Sequence, residues 1–155
     1  MKPATLRHFA RKGVEILPTP DQNYTDLEKA LAWCALRDAS SVWIGQSLGA
    51  RTDHTFSTLA LLRRFHDPAR ELFVIHEKER IRFLRDEKVR LSGKSQRRIA
   101  LLPFATCRAR TRGLAFEMDG VKLELGVNES VSNRARGSRV EIEVEGDALL
   151  VEETE

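Results

Sequence analysis

Ser41-Val-Trp-Ile-Gly45 and Glu71-Leu-Phe-Val-Ile-His76 are two short apolar runs, rich in β-branched and aromatic residues and of the length of β-strands. The residues from about 53 to 65 lie between them, and Leu59 and Leu62 recur there at helical spacing. A strand, a helix and a second strand in this order are typical of a crossover between parallel strands. The segment therefore predicts an α/β fold.

The residues before this segment continue the alternation of helices and strands. Residues 3–12 predict a helix that ends at Gly13, and residues 14–17 predict a short strand. Thr25 and Glu28 fit a capping box, in which the threonine hydroxyl and the glutamate carboxylate satisfy each other's backbone N–H groups. A helix is therefore expected to begin directly after Thr25.

The second half of the chain has a different pattern, because short alternating runs replace the helical period after about Glu77. Asp119-Gly120 predicts a tight hairpin, and Gly146-Asp147 predicts another turn. We therefore predict a partial parallel-sheet α/β domain over residues 1–77, followed by an antiparallel domain over residues 78–155, either a β-sandwich, which we favour, or an open barrel. The predicted strands of the second domain are 80–84, 88–91, 98–104, 114–118, 121–125, 139–144 and 148–152.

The composition is that of an ordinary globular chain. Hydrophobic residues make up 41% of the 155 residues, which is enough for one ordinary core or two small ones. No apolar run approaches the roughly 20 residues that cross a bilayer, and the first residues lack the apolar stretch of a signal peptide. Cys34 and Cys107 match neither a disulfide framework nor a metal-binding spacing. We therefore expect a cytoplasmic protein with no membrane partner.

Arginine is concentrated in the second half of the chain, although the formal net charge is only +3. Alternate arginines in a strand share one face, which would either meet nucleic acid or face solvent and protect sheet edges. Aromatic residues that stack on bases are not interleaved with these arginines. We favour the solvent-facing interpretation over nucleic-acid binding. The clusters are Arg97-Arg98, Arg108/Arg110/Arg112 and Arg134/Arg136/Arg139.

Two polar turns, Asp21-Gln-Asn-Tyr-Thr-Asp26 and Gly49-Ala-Arg-Thr-Asp-His54, each place an aspartate in the first turn of a predicted helix. Each turn follows a predicted strand, so both are expected at the carboxyl edge of the sheet, where open α/β folds bind ligands. The backbone N–H groups and the dipole at a helix N-terminus attract phosphate. The two turns together predict a shared magnesium and phosphate site.

The residues of these turns also have simpler explanations. Asp26 alone could be an acid that stabilises the helix dipole, and Asp53 alone could be an N-cap. For ligand binding, Gly49 lets the backbone approach closely, Arg51 offers a bidentate fork to phosphate, and Asp53 offers oxygen to a hard cation. His54 is a candidate base, although packing or capping is the more common role of a histidine in a first helical turn.

Three further features carry no functional signal by themselves. Trp33 lies in a helical pattern and Trp43 in a strand pattern, and we interpret both as core residues. Residues 131–133 have the composition of an ordinary turn.

Four motifs, taken in order, resemble those of the thiamine pyrophosphokinase (thiamine diphosphokinase) family. The resemblance extends over essentially the whole chain, and 98–103 also resembles the strand that leads into the family's β-sandwich. The four motifs are Asp21-Gln-Asn-Tyr-Thr-Asp-Leu27, Gly49-Ala-Arg-Thr-Asp-His54, Gly113-Leu-Ala-Phe116 and Ser132-Asn133.

The resemblance implies the transfer of pyrophosphate from ATP to thiamine, which gives thiamine diphosphate and AMP, with Mg²⁺ as cofactor. It implies a homodimer whose site lies between subunits. By the resemblance, Asp26 and Asp53 would be catalytic and bind the metal, and Thr25, Gly49 and Arg51 would bind the ATP phosphates. The residues that would bind thiamine are Gln22, Phe116, Ser132 and Asn133, the last two from the partner subunit's sandwich.

The chain departs from the family pattern at three points. Ala50 replaces the second glycine of a G-G-R run, and Phe116 stands where the family usually has tryptophan or tyrosine. The family's acidic G-D-x-D-S motif would lie upstream of Lys2. We therefore interpret the chain as a truncated reading frame, with a non-catalytic remnant as the alternative.

Three functional hypotheses follow from the sequence. The first is a thiamine pyrophosphokinase-like enzyme. The second is a catalytically impaired protein that binds thiamine or thiamine diphosphate without turnover. The third, resting only on the arginine clusters, is a nucleic-acid-binding β domain.

Overall fold

The computed structural model describes residues 3–49, 51–93 and 95–154. The departure from the family pattern at Ala50 falls outside these residues. The described chain forms helices α1 (Pro3–Arg11), α2 (Asp26–Ala35) and α3 (Thr52–Arg64). Its strands are β1 (Ser41–Gly45), β2 (Glu71–His76), β3 (Glu79–Arg85), β4 (Lys88–Ser92), β5 (Arg98–Arg112), β6 (Asp119–Glu124), β7 (Ser130–Arg134) and β8 (Arg139–Glu153).

The predicted crossover is confirmed. β1 and β2 are parallel neighbours whose register runs from Ser41 opposite Glu71 to Gly45 opposite Ile75. α3 connects them, as the helical spacing of its leucines predicts. The two strands and this helix form the parallel part of the fold.

Helices α2 and α3 pack on the same face of this sheet. Leu31 of α2 and Leu62 of α3 belong to one buried cluster with Ile44 and Val74 of the parallel strands. Leu62 and Val74 are fully buried, so this contact excludes water completely at its centre. The packing fixes the start of each helix relative to the other.

One continuous sheet joins the parallel and antiparallel parts, in the order β1-β2-β3-β8-β5-β6. β3 is antiparallel to β2 on one side and to β8 on the other. β4 also pairs with β8, and β7 with β5, outside this path. The predicted division of the chain after residue 77 stays a prediction.

The long strands β5 and β8 create the β-sandwich, and the predicted fold class is confirmed. One half of β8 pairs with β3 and the other half with β4, while β5 pairs with β8 along both halves. Side chains from both halves meet in a single buried cluster that includes Ile99, Ala109, Ile142 and Leu150. The two layers of the sandwich are therefore halves of the same bent strands.

The turn predicted at Gly146-Asp147 was wrong, because both residues lie inside β8. Gly146 has φ +99°, and a Cβ at this position would lie 3.1 Å from the carbonyl oxygen of Thr106. The ladder with β5 changes register between Pro103 and Cys107, opposite this glycine. Glycine here permits a bend and a close strand approach rather than a chain reversal.

Several other local predictions were wrong. Residues 14–17 and 114–118 form no strand, and residues 131–133 lie in β7 rather than in a turn. Asp119-Gly120 begins β6 instead of forming a two-residue hairpin. A strand exists only where a partner completes its hydrogen bonds, and short alternating runs do not specify that partner.

The two tryptophans are more exposed than predicted, at 38% for Trp33 and 57% for Trp43. Trp43 lies on β1, which has only β2 beside it among the described strands. The interpretation of both residues as core was therefore wrong.

The arginines of the antiparallel part alternate with carboxylates across the strands. Arg110 Nη1 lies 2.8 Å from Glu145 Oε1, Arg90 Nε lies 3.0 Å from Glu141 Oε1, and Arg98 Nη2 lies 3.1 Å from Glu153 Oε1. Cross-strand pairing of this kind offsets the positive charge of the arginine clusters. In the part of the chain that the structure describes, no helix is long and apolar enough to span a membrane.

Asp147 connects α3 to the antiparallel sheet. Its Oδ2 lies 2.7 Å from Arg63 Nε of α3, and its Oδ1 lies 2.7 Å from Arg85 Nε of β3. The hydrogen bond from Arg85 lowers the pKa of Asp147 below its ordinary value of 3.8, burial opposes this shift, and Arg63 lowers the pKa further. The carboxylate is therefore stabilised in its ionised form.

Replacing Asp147 with asparagine is expected to lower the free energy of unfolding by about 1 kcal/mol at neutral pH, because two charged hydrogen-bond partners lose their carboxylate. A carboxyl group with a depressed pKa stabilises the fold above its unfolded-state pKa and loses that contribution as the pH falls through its folded-state pKa. The difference between wild type and D147N should therefore shrink below about pH 4. Urea denaturation across this pH range measures it.

Asp119→Asn is the matched control, since the Asp119 side chain is fully exposed and lies 3.8 Å from Arg110. This variant should unfold like the wild type at every pH. A D147N difference that stays constant down to the lowest pH would contradict the assigned role of the Asp147 carboxylate.

Candidate functional site

The first predicted turn ends in a helix capped by Thr25, but only one of the two bonds of the predicted capping box forms among the described residues. Thr25 is the N-cap of α2, and its hydroxyl accepts a hydrogen bond from the Glu28 N–H at 3.2 Å. The Glu28 carboxylate pairs with Arg64 of α3. Asp26 therefore stands at the first position of α2, with its side chain fully exposed and 3.7 Å from Lys29 Nζ.

Local hydrogen bonds shape the turn that leads to this helix. Asp21 Oδ1 accepts from the Asn23 N–H at 2.8 Å, and Gln22 Nε2 donates to the Pro20 carbonyl at 3.1 Å. Lys29, whose side chain is 14% exposed, donates from Nζ to the Thr19 carbonyl at 3.2 Å. The turn is thus tied back to the helix that it begins.

The second predicted turn follows β1 and leads into α3. Gly49 has φ +98°, and its N–H donates to the Thr55 hydroxyl at 3.1 Å. The hydroxyl of Ser47 in the same turn is buried and has no hydrogen-bond partner among the described residues. Only this turn follows an observed strand, because residues 14–17 form none.

Arg51 and Asp53 form an exposed ion pair at the start of α3. Arg51 Nε and Nη2 donate to the two carboxylate oxygens of Asp53 at 3.1 and 2.5 Å, and the His54 N–H donates to Asp53 Oδ1 at 2.9 Å. The hydrogen bond from Arg51 lowers the pKa of Asp53. Asp53 is therefore held ionised, and a phosphate or cation would compete with a group already in contact with it.

A cavity of about 510 Å³ lies between the start of α2 and the first turns of α3. Its volume is in the range of small-molecule sites. Of the predicted site residues, Gln22, Thr25 and Asp26 line it, whereas Gly49, Arg51 and Asp53 do not. The structure therefore brings together one predicted turn and His54, and leaves the Arg51–Asp53 pair outside the cavity wall.

Sequence reasoning missed several residues that line this cavity. Ser57 and Thr58 follow His54 at spacings of three and four residues, so they share its face of α3. The spacing of these polar residues could have predicted a polar face of α3, but only the apolar face of this helix entered the prediction. The other missed lining residues with polar side chains are Thr19, Tyr24 and Lys29.

No group of three or more histidine, cysteine, aspartate or glutamate side chains that could hold a metal occurs among the described residues. Asp26 and Asp53 offer single carboxylates at two neighbouring helix starts. Mg²⁺ is commonly bound through one or two carboxylates together with substrate phosphates. Carboxylate oxygens fit that mode of binding, but Asp53 lies outside the cavity that Asp26 lines and would have to leave Arg51 to bind a metal.

The predicted thiamine-binding residues of the second half lie in the antiparallel part. Ser132 on β7 has φ +55° and lines a groove of about 290 Å³. The groove wall is mainly apolar, and its charged residues are Glu79, Arg98 and Glu153. The apolar lining residues are Ala100, Leu102, Val131 and Val151.

Phe116 and Asn133 differ sharply in exposure. Phe116 is 77% exposed, whereas Asn133 is only 3% exposed. Neither lines the groove that contains Ser132. Their predicted roles in thiamine binding stay predictions.

Comparisons with known proteins agree with the motifs. Residues 1–74 match the family model "Thiamin pyrophosphokinase, catalytic domain". The chain is 29% identical over 141 residues to thiamin pyrophosphokinase 1 of Caenorhabditis elegans, covering 83% of this chain and 58% of that protein. The chain therefore spans little more than half the length of this curated relative.

Solved structures share the fold over the whole chain. Thiamine pyrophosphokinase from Bacillus subtilis superposes with a TM-score of 0.88 at 18% identity, covering 100% of this chain and 75% of that one. The thiamin pyrophosphokinase from Candida albicans gives 0.86 at 19% identity, covering 100% of this chain and 70% of that one. The family match over residues 1–74 and the curated relative show that this chain is similar to thiamin pyrophosphokinases, and the solved structures show that it has their fold.

Proposed function

We propose that this chain acts in the transfer of pyrophosphate from ATP to thiamine, which gives thiamine diphosphate and AMP. The observation that carries the proposal is the cavity between α2 and α3, where Gln22, Thr25 and Asp26 of the first family-like motif meet His54 of the second. The names of the relatives and the matched catalytic-domain model support the same activity.

The helix starts suit the binding of phosphate. α2 and α3 each begin with the positive end of a helix dipole, which favours an anion, although the Glu28 and His54 N–H groups already donate to Thr25 and Asp53. Arg51 is the N-cap residue of α3, and its side chain is 66% exposed. Its guanidinium can therefore turn from Asp53 to a phosphate oxygen. A Cβ at Gly49 would meet, among the described residues, His76 Cε1 at 3.6 Å, so the glycine leaves space for a ligand beside the backbone.

In the proposed reaction, the hydroxyl of thiamine attacks the β-phosphorus of ATP in line with the departing AMP oxygen. Asp26 and Asp53 are the residues that would hold Mg²⁺, which when bound offsets the negative charge of the phosphate oxygens. The exposed Asp26 carboxylate has only the 3.7 Å contact with Lys29 as an ion pair among the described residues, so its oxygens remain available.

The groove at Ser132 is the proposed thiamine-binding surface of the antiparallel part. Its apolar wall would cover one heterocyclic ring of thiamine. Glu79 lies at its rim, and the Glu153 carboxylate there is already paired with Arg98. In the proposed homodimer, this groove of one subunit completes the α2–α3 cavity of the other.

The direct test incubates the protein with thiamine, ATP and Mg²⁺ and separates the products by chromatography. The proposal requires equal amounts of thiamine diphosphate and AMP. Binding of both substrates in calorimetry without these products would assign the chain as a thiamine-binding protein, an alternative that the occupied carboxylate of Asp53 favours. Absence of both binding and products would overturn the proposal.

Asp26→Asn and Asp53→Asn should each lower turnover by about a hundredfold or more, because each removes a charge at the phosphate centre. Thermal unfolding should change little, since asparagine is also accepted at a helix start. Asp38→Asn, in the turn after α2, is the control and should keep full activity. If Asp26→Asn changed only the melting temperature, the carboxylate would serve the helix dipole alone.

Val131→Glu should convert the proposed dimer to a monomer, because Val131 is 63% exposed and lines the groove at Ser132. Val127→Glu is the matched control, since Val127 is 72% exposed and lies outside the groove lining. Light scattering after gel filtration measures the mass of each variant. A wild-type protein that runs as a monomer would contradict the proposed assembly.

A further inference from the structure

We propose that Asn133 is a positioning residue that fixes Phe116 as an aromatic surface for the thiamine ring, and that it does not itself contact substrate. This inference rests on the proposed function for the nature of the ligand. The position of Asn133 beneath Phe116, however, is a property of the fold that can be tested without any ligand.

Asn133 clamps the backbone of Phe116 from both sides. Its Oδ1 accepts a hydrogen bond from the Phe116 N–H at 3.1 Å, and its Nδ2 donates to the Phe116 carbonyl at 2.8 Å. Both polar backbone atoms of one residue are therefore bound by one rigid, planar amide. This fixes the direction in which the Phe116 side chain leaves the backbone.

The bonding capacity of Asn133 is almost exhausted. Its Oδ1 also accepts from the Arg134 N–H at 2.9 Å, so both lone pairs are used, and one of the two Nδ2 hydrogens is used by Phe116. The residue is 3% exposed. A substrate would find one N–H at most, on a side chain that the protein covers.

Neighbouring bonds tie the rest of the 113–118 loop to the same strand region. The Ala115 N–H donates to the Arg134 carbonyl at 2.7 Å, and Arg136 Nη2 donates to the Ala115 carbonyl at 3.0 Å. At the start of the loop, Gly113 has φ +89° and passes so close to Arg139 that a Cβ would lie 2.2 Å from its carbonyl oxygen. The loop is therefore held at several points, and the asparagine clamp lies at its tip.

The result is an aromatic ring displayed to solvent on a fixed support. Phe116 is 77% exposed, although exposing a phenyl ring gives up the burial that normally stabilises it. A flat aromatic face favours stacking on another ring and attracts a positive charge above it. The ligand class that fits is a cationic aromatic heterocycle, and thiamine carries such a ring.

A double-mutant cycle with Asn133→Ala, Phe116→Ala and the combined variant tests this role. Each single variant should raise the KM for thiamine about three- to tenfold and leave the KM for ATP unchanged. The combined variant should be no worse than Phe116→Ala alone, because the clamp has no ring left to position. Independent effects that multiply would mean that Asn133 acts on substrate directly, and would overturn the proposal.

Asn133→Asp separates the two halves of the clamp. A carboxylate keeps the acceptor for the Phe116 and Arg134 N–H groups, but it cannot donate to the Phe116 carbonyl and places a charge at a site that is 3% exposed. Circular dichroism first establishes that this variant is folded. Its thiamine KM should rise as in Asn133→Ala. Asn128→Ala is the matched control, since the Asn128 amide also accepts from a backbone N–H, of Glu124 at 3.1 Å, and donates to a backbone carbonyl, of Lys122 at 2.8 Å. It should leave both KM values unchanged.

Amide hydrogen exchange on the protein without ligand tests the clamp separately from the proposed function. Asn133→Ala removes the acceptor of the Phe116 N–H, so it should speed exchange at Phe116 and leave Leu125, which donates to the Ala105 carbonyl, unchanged. Unchanged exchange at Phe116 would refute the clamp. If the wild type neither bound nor converted thiamine while exchange at Phe116 still rose in the variant, the clamp would stand and the proposed ligand would fall.

Discussion

The antiparallel ladder between β5 and β8 is the interaction on which the rest of the structure depends. Each strand is long enough to pair with different partners on its two halves, so together they hold β3, β4, β6 and β7. The bend at Gly146 lets the two halves face each other around one core. The parallel strands in turn reach this ladder through β3. Loss of the ladder would therefore separate β3, and with it the α/β part, from the strands that support them in the described sheet.

The parts of the fold that the sequence predicts correctly depend on interactions between residues that are close together in the chain. The period of α3, the apolar runs of β1 and β2 and the cap at Thr25 all act over a few residues, and the structure confirms each of them. The predictions that failed needed information about distant partners. Gly146 resembles a turn residue locally, and only the approach of Thr106 makes it the bend of a continuous strand.

The candidate site shows the same difference between local features, which the sequence predicts, and long-range contacts, which it does not. The sequence predicted Asp26 and Asp53 at helix starts, because first-turn acids have a local signature. It did not predict that Arg51 already engages Asp53, or that Ser57 and Thr58 line the cavity, since these depend on side-chain direction and on the packing of two helices. The roles of the site residues, the division into domains and the cytoplasmic location stay predictions. Asn133 illustrates the limit best, because a motif identifies it but only its buried bonds to Phe116 indicate how it acts.

Helix α3 contacts both the α/β part and the antiparallel part of the fold. Its first turn carries Asp53 and His54, while its last turn carries Arg63, bound to Asp147 of β8, and Arg64, bound to Glu28 of α2. The start of α2 is therefore fixed relative to α3, and α3 is fixed relative to the bent ladder. A change in the antiparallel sheet that moved Asp147 would reach the cavity through one rigid helix of 13 residues. The antiparallel part is therefore linked, through Asp147 and Arg63, to the helix whose first turn carries His54.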